Sequence, residues 1–336
     1  MGRIPLDYLL RRVGIWLLTI WVAATVIWII PRLAPGDPIE TMIGEMASAG
    51  TNVAGADAII EQFRERFGLD DPLHIQYVKY MGSLLRFDLG YSISNFPTPV
   101  STIIANALPW TVGLLLLAMV ITFLLGNFLG AIMVWAKTPQ FFKYLIPFGM
   151  LFTSIPTILS ALFLLYIFAF TFNILPSQNA YALGTQPGLH FELTWRVIVH
   201  RTLPALSINL VSFGTRALGI RGMMGTVQGE DYVQLARAKG LKPLYILYRY
   251  MVRNAILPQV TAFAITLGTL VSGQVLVERV FNYQGMGFII YTAILARDFS
   301  VIQGASFIII LMTATAVLIV DLLYPFIDPR VSQRSA

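Results

Sequence analysis

Apolar residues in this chain do not alternate with polar ones; they run together in stretches about as long as a bilayer is thick. A helix needs roughly 20 apolar residues to cross a hydrocarbon core of about 30 Å. Six stretches reach or approach that length: residues 13–30, 111–135, 144–170, 203–221, 255–277 and 301–324. The fourth is interrupted by Pro204, Asn209 and Arg216. Such breaks are tolerated where a helix is buried against protein or lines a water-filled path. The pattern predicts an all-α membrane protein with about six transmembrane helices. Between the first two spans lies a polar stretch in which Ile59, Ile60, Phe63 and Phe67 fall on one face, as in a short amphipathic helix.

Composition strengthens this reading. Hydrophobic residues make up 57% of the 336 and charged residues only 12%, against about 25% charged in a typical soluble domain. The basic excess of +6 raises the question of nucleic acid, but the basic residues sit beside apolar runs, where they set membrane orientation. There is no cysteine, which excludes disulfides, thiolate chemistry and Cys-based metal sites. Arg3, Arg11 and Arg12 followed by the run 13–30 resemble a signal peptide. The run is long for a signal core, and Pro31-Arg32 follows instead of small residues. An uncleaved first span is expected.

Charge also sets the orientation. With the N-terminus inside, the inner segments hold 14 of the 23 basic residues but only 5 of the 17 acidic ones. Both termini are therefore expected in the cytoplasm. The organisation that follows is a tail and first helix over 1–31, an extracytoplasmic loop region over 32–110, and a five-helix core over 111–336. The core contains a basic cytoplasmic loop at 229–254.

That loop reads GEDYVQLARAKGLKPLYILYRYMVRN. Asp231 is placed to cap a helix over 232–239, and Gly240 to end it in a left-handed conformation. Pro243 suits the first turn of a second helix. Leu244, Leu247, Tyr248 and Met251 recur at helical spacing and predict its apolar stripe. Two readings fit a helix, a turn and a second helix: an amphipathic element resting among anionic headgroups, or a lever that docks into a groove on another protein.

ARAKG followed by RNAILP (Ala236–Gly240 and Arg253–Pro258) resembles the cytoplasmic EAA loop of binding-protein-dependent ABC importer permeases. Gln234 and Leu235 replace the Glu and first Ala of the general pattern, while Ala236 and Gly240 match it. These departures resemble the oligopeptide, dipeptide and nickel branch. LAPGDP from Leu33, FDLGYS from Phe87, ILP from Ile174, ERVFNYQGMG from Glu278, LARD from Leu295 and DLLYPFIDPR from Asp321 resemble the same branch, in order along the chain. The resemblance implies the type I importer permease fold in a bacterial or archaeal inner membrane. It implies a second permease subunit, two ATPase subunits or domains carrying ATP and Mg, and an extracytoplasmic solute-binding protein. The coupling residues it implies are Asp231, Tyr232, Leu235, Ala236, Arg237, Ala238, Lys239, Gly240 and Leu241. Peptides are the expected cargo, with oligosaccharides or nickel chelates as alternatives.

The chain has no Walker A pattern, so no cofactor is expected on it and ATP hydrolysis is assigned to partners. His74, His190 and His200 lack metal-ligand spacing and are expected to be exposed loop residues. Asp321 lies inside an apolar stretch. It is expected to act as a structural cap or to pair with a nearby basic residue such as Arg11 or Arg12, the rival being a proton-coupled secondary transporter running on it. Arg216 and Arg221 are expected to snorkel or pair, and Gly126 and Gly130 to allow close helix approach. Asn127, Thr153, Ser154, Ser207, Asn209 and Gln274, with Ser160, Ser212 and Ser272, are candidates to line a translocation path. Phe152, Phe213 and Met223 are candidate gate residues.

Overall fold

A computed structural model describes residues 6–33, 71–135, 139–179, 191–268 and 274–327. Within these the regular structure is helical; the one strand-like feature is an isolated bridge between Tyr91 and Pro99. In chain order the helices are α1 (Leu6–Leu33), α2 (Leu73–Leu85), α3 (Val100–Ile132), α4 (Gln140–Thr153) and α5 (Thr157–Leu164, continued by a π-helical segment Leu165–Thr171). They continue as α6 (Phe191–Gln228), α7 (Asp231–Ala238), α8 (Pro243–Ile246, continued by a π-helical segment Leu247–Val252) and α9 (Arg253–Gly268). The last three are α10 (Val275–Val280), α11 (Met286–Leu295) and α12 (Phe299–Ile327).

Among the described residues four helices are long and apolar enough to cross a membrane: Leu6–Ile30, Val100–Ile132, Val197–Gln228 and Phe299–Leu322. The third expected span is not one straight rod. Pro147–Thr153 and Thr157–Thr171 meet at an angle of 107°. Pro156 explains the break, because proline has no N–H to donate and pushes the residue before it out of helical geometry. Counting that pair as one span gives five. The expected fifth span, 255–277, is helical over Arg253–Gly268 and again from Val275, with 269–273 outside the described residues. The amphipathic segment 57–67, His190 and Ser272 also lie outside them.

The doubtful fourth span is continuous, and its polar interruptions are each satisfied by protein. Ser207 Oγ donates to the Pro204 carbonyl at 2.7 Å, near the proline. Asn209 Oδ1 accepts from Thr122 of α3 at 2.6 Å. Arg216 donates to Thr266 of α9 at 3.0 Å, so it pairs within the protein instead of snorkelling. α3 begins at Val100, earlier than the hydropathy edge at 111.

Two compact units divide the chain, residues 1–109 with 285–336, and residues 110–284. In the first unit α1 packs along α12. Trp16 Nε1 donates to Thr315 at 3.2 Å and Tyr8 donates to the Asp321 carbonyl at 3.0 Å. Arg12 meets the Asp321 carboxylate at 2.9 Å, one of the two partners expected for it. A core of Val100, Ile104, Met286, Ala293, Val301 and Ala305 ties α3's first turns to α11 and α12. Beside it Asp298 is fully buried. One of its oxygens accepts from Ser92 Oγ (2.5 Å), Ser94 N (3.1 Å) and Ser94 Oγ (2.8 Å). The other accepts from Val301 N at 3.1 Å and so caps α12.

In the second unit α3, α4 and α6 approach one another through glycines. A Cβ on Gly126 would lie 2.8 Å from Arg216 Cβ, and one on Gly130 would strike the Ala217 carbonyl. A Cβ on Gly214 would lie 2.5 Å from the Gly149 backbone. Small residues let helix backbones come close, which is a main source of packing energy in a bilayer. Two apolar cores result. One joins Leu114, Ala118, Ala161, Leu203, Val277 and Phe281; the other lies under the loop after α6.

Candidate functional site

The loop after α6 folds as a helical hairpin. Glu230, in extended conformation (φ −67°, ψ 143°), is the residue before α7, and neither it nor Asp231 supplies a side-chain cap. Asp231 is instead the first helical residue, where its charge favours the positive end of the helix dipole. The expected cap is thereby corrected. Gln234 Nε2 reaches back to the Gly229 carbonyl at 3.1 Å and secures the entry turn.

The exit is as the sequence predicts. Gly240 has φ +72°, a conformation that costs an L-residue roughly 1–2 kcal/mol. Gly240 N donates to the Arg237 carbonyl at 2.9 Å and Leu241 N to the Ala236 carbonyl at 3.3 Å. That pair of bonds is the Schellman arrangement. Leu241 and Ala236 belong to the same apolar cluster, which completes the motif. Pro243 then opens α8 at its first position.

The hairpin is two-faced. Val233, Ala236, Ile246, Leu247 and Met251 are buried against Ile220 and Met224 of α6 and Ala131 of α3. Each fully buried side chain of this size contributes about 1.5–3 kcal/mol, so the hairpin is anchored to two long helices at once. Ala236 is thus an inward packing residue, although the motif ranks it with the coupling positions. On the other face Asp231, Arg237, Ala238 and Lys239 are exposed, with Tyr232 and Leu235, the latter 56% exposed. The expected stripe of α8 is half right. Leu247 and Met251 are inward, but Leu244 and Tyr248 point out, and Ile246 takes a place inside. The π-helical segment Leu247–Val252 explains the difference, because it departs from the 3.6-residue period on which the stripe was drawn.

The path candidates are not drawn into one lining. Asn209 is bonded to Thr122 and Ser207 to its own helix. Thr153 bonds to the Met150 carbonyl, and Ser154 lies exposed at the break after α4. Gln274 is exposed just before α10. Asn127 is buried; its amide nitrogen donates to the Phe123 carbonyl at 2.8 Å and its Oδ1 has no partner among the described residues. Ser160 is buried with its hydroxyl likewise unpartnered. Phe152 packs edge-on against Phe148 of its own helix, while Phe213 and Met223 are half-buried.

A polar cluster that sequence reasoning missed joins three elements of this unit. Glu278 of α10 is fully buried and accepts from Thr111 of α3 at 2.7 Å. Tyr283, also fully buried, accepts from Arg201 Nε of α6 at 3.0 Å, and the guanidinium lies over the Trp110 ring. Burial pushes the Tyr283 phenol up to about 12, with Arg201 opposing. Glu278 and Tyr283 both lie in the ERVFNYQGMG segment, so a signal was present without a role attached. His200 is half-buried and its ring contacts the Gln178 and Asn179 carbonyls at 3.1 Å, unlike the exposed residue expected. Among the described residues no group of His, Asp and Glu could hold a metal.

Residues 126–333 match the family described as binding-protein-dependent transport system inner membrane component. The chain is 33% identical over 330 residues to a Brucella suis biovar 1 protein whose name ties it to peptide permeation, covering 97% of this chain and 99% of that one. It is 31% identical over 330 residues to the oligopeptide transport system permease protein AppB of Bacillus subtilis, covering 96% and 98%. DdpB of Escherichia coli K12, whose name ties it to a D,D-dipeptide transport system, is 33% identical over 337 residues, covering 95% and 96%. The hairpin, the apolar spans and these relatives converge: the chain belongs to the family of binding-protein-dependent transport inner membrane components and is a transmembrane permease subunit of such an importer.

Proposed function

We propose that this permease carries peptides, that both of its termini lie in the cytoplasm, and that α7 is the point at which an ATPase subunit pushes on it. The single observation that carries the coupling assignment is the two-faced hairpin. Its inner face is fused by packing to α6 and α3, and its outer face leaves Tyr232, Leu235, Arg237 and Lys239 unburied. A force on α7 is therefore passed to two long helices without an intervening flexible joint.

The cytoplasmic placement follows from the basic residues of this segment, Arg237, Lys239, Lys242, Arg249 and Arg253. The segment 32–110 is then extracytoplasmic, where a solute-binding protein delivers its cargo. A second permease subunit completes the path, and ATP with Mg acts on two ATPase subunits or domains. Peptide cargo is supported by the names of the relatives, an analogy that this chain's own residues do not add to.

The test is Gly240→Val in the co-expressed complex, reconstituted in proteoliposomes with its binding protein. A β-branched residue at φ +72° strains the hairpin exit. Peptide-stimulated ATP hydrolysis should fall at least tenfold, while the permease still inserts and basal folding is retained. Full peptide-driven hydrolysis by the variant would remove the coupling assignment. Wild-type chain alone should transport nothing.

A further inference from the structure

A large groove in the second unit has no role in the reading above. It occupies about 1090 Å³, above the roughly 300–1,000 Å³ of drug-sized ligand pockets. One wall is the last turns of α3, including Phe123, Leu124 and Phe128; the other is the α8–α9 segment, including Leu244, Tyr248 and Ile256. From Phe123 to Ile132 the α3 wall runs about 14 Å at helical rise, close to the ~15 Å of one leaflet of the hydrocarbon core.

Charge is distributed unevenly around it. Lys242, Arg249 and Arg253 line the groove, all are exposed, and none forms an ion pair among the described residues. No Asp or Glu is among the lining residues. Asn127 is a buried polar residue in the wall, and its Oδ1, without a partner among the described residues, can take a donor from the occupant or from water that accompanies it.

We propose that this groove is a binding site for one anionic phospholipid, its phosphate held by Arg249, Arg253 and Lys242 and an acyl chain laid along Phe123, Leu124 and Phe128. The argument is complementarity of both parts. A cluster of cations without carboxylates matches an anionic head, and basic pockets between helices at the cytoplasmic face are known to take such headgroups. An apolar wall of leaflet length matches a chain. The placement at the inner leaflet rests on the orientation proposed above; the recognition chemistry does not. Because the groove wall includes α8, which continues from the coupling hairpin, an occupant there stiffens the segment that transmits ATPase movement.

The importer complex, purified in mild detergent, should be titrated with phosphatidylglycerol and with phosphatidylcholine of the same chains and observed by native mass spectrometry. Retention of phosphatidylglycerol should exceed that of phosphatidylcholine about tenfold, and 10 mM inorganic phosphate should not displace it. The double variant Arg249→Gln with Arg253→Gln should remove that preference, while Arg249→Lys with Arg253→Lys keeps most of it. Equal retention of the two lipids, or an unchanged preference in the Gln variant, overturns the proposal. So does displacement by free phosphate, or a photocrosslinker at Tyr248 that captures another protein chain in place of lipid. Introduced cysteines labelled from one side of the membrane test the orientation separately, so its failure is distinguishable from failure of the lipid site.

Discussion

The hairpin around α7 and the corner around Asp298 were both flagged by family-like sequence, yet they use polar residues in opposite ways. At the corner the central carboxylate is turned inward. Asp298 is fully buried and both its oxygens are spent on Ser92, Ser94 and Val301. The hairpin is held by apolar side chains such as Val233 and Met251 and keeps its charged residues outside. A region that satisfies itself is built to hold a shape, and a region that holds itself by one face alone has the other face available to a partner. The same distinction separates Ala236, which is buried, from Leu235 beside it, which is not.

Breaking the self-satisfied corner should have the largest effect on stability. Asp298→Ala leaves buried Ser92 and the Val301 N–H at the α12 N-terminus without their acceptor, while exposed Ser94 can turn to water. Each buried unsatisfied donor costs about 1–3 kcal/mol, so the two together cost about 2–6 kcal/mol. The variant should show a large drop in thermal midpoint in detergent and a reduced yield of folded protein. A midpoint equal to wild type would mean that the corner does not hold the unit together.

A smaller effect is expected at the other buried polar cluster. Burial raises the Tyr283 phenol from 10.0 to about 12. The folded state therefore keeps a proton that the unfolded chain has released, and stability falls with rising pH over that interval. Stability is full below about pH 10 and declines from there to about pH 12. Tyr283→Phe should lessen this alkaline loss, as measured by unfolding midpoints across the window. An identical alkaline profile in the variant would remove Tyr283 as its source.

The smallest effect is expected at Asp321. Its side chain is 30% exposed and that of Arg12 37%, and pairs of this kind contribute about 0.2–1 kcal/mol. Asp321→Asn should leave transport intact with a barely shifted midpoint. Loss of transport at unchanged stability would restore the proton-coupled reading of that carboxylate.

Much of this architecture was legible in the sequence because it depends on local rules. Apolar run length located the long helices. The glycine stop at Gly240 and the Pro243 start were read correctly because one residue's conformational limits decide each. The ion pair of Asp321 followed from the cost of leaving a carboxylate unpaired among apolar residues. What was not legible depends on distant partners. Glu278 and Thr111 are 167 residues apart, and Ser92 and Asp298 are 206 apart; nothing local pairs them. The stripe of α8 failed differently, because a π-helical segment changes which residues share a face. The partner of Asn209, Thr122 on another helix, was equally beyond local reading.

The central claim is that α7 meets an ATPase subunit with one face and the permease core with the other. The chain contains no cysteine, so single cysteines can be placed without background at Tyr232, Leu235 and Lys239 on the outer face and at Val233 on the inner. In the assembled complex, a short bifunctional reagent should link the three outer positions to an ATPase subunit, with a yield that changes when ATP is added. Val233→Cys should give no such link. Equal linkage from inner and outer positions, or none from any of them in a complex that still hydrolyses ATP, would contradict the account.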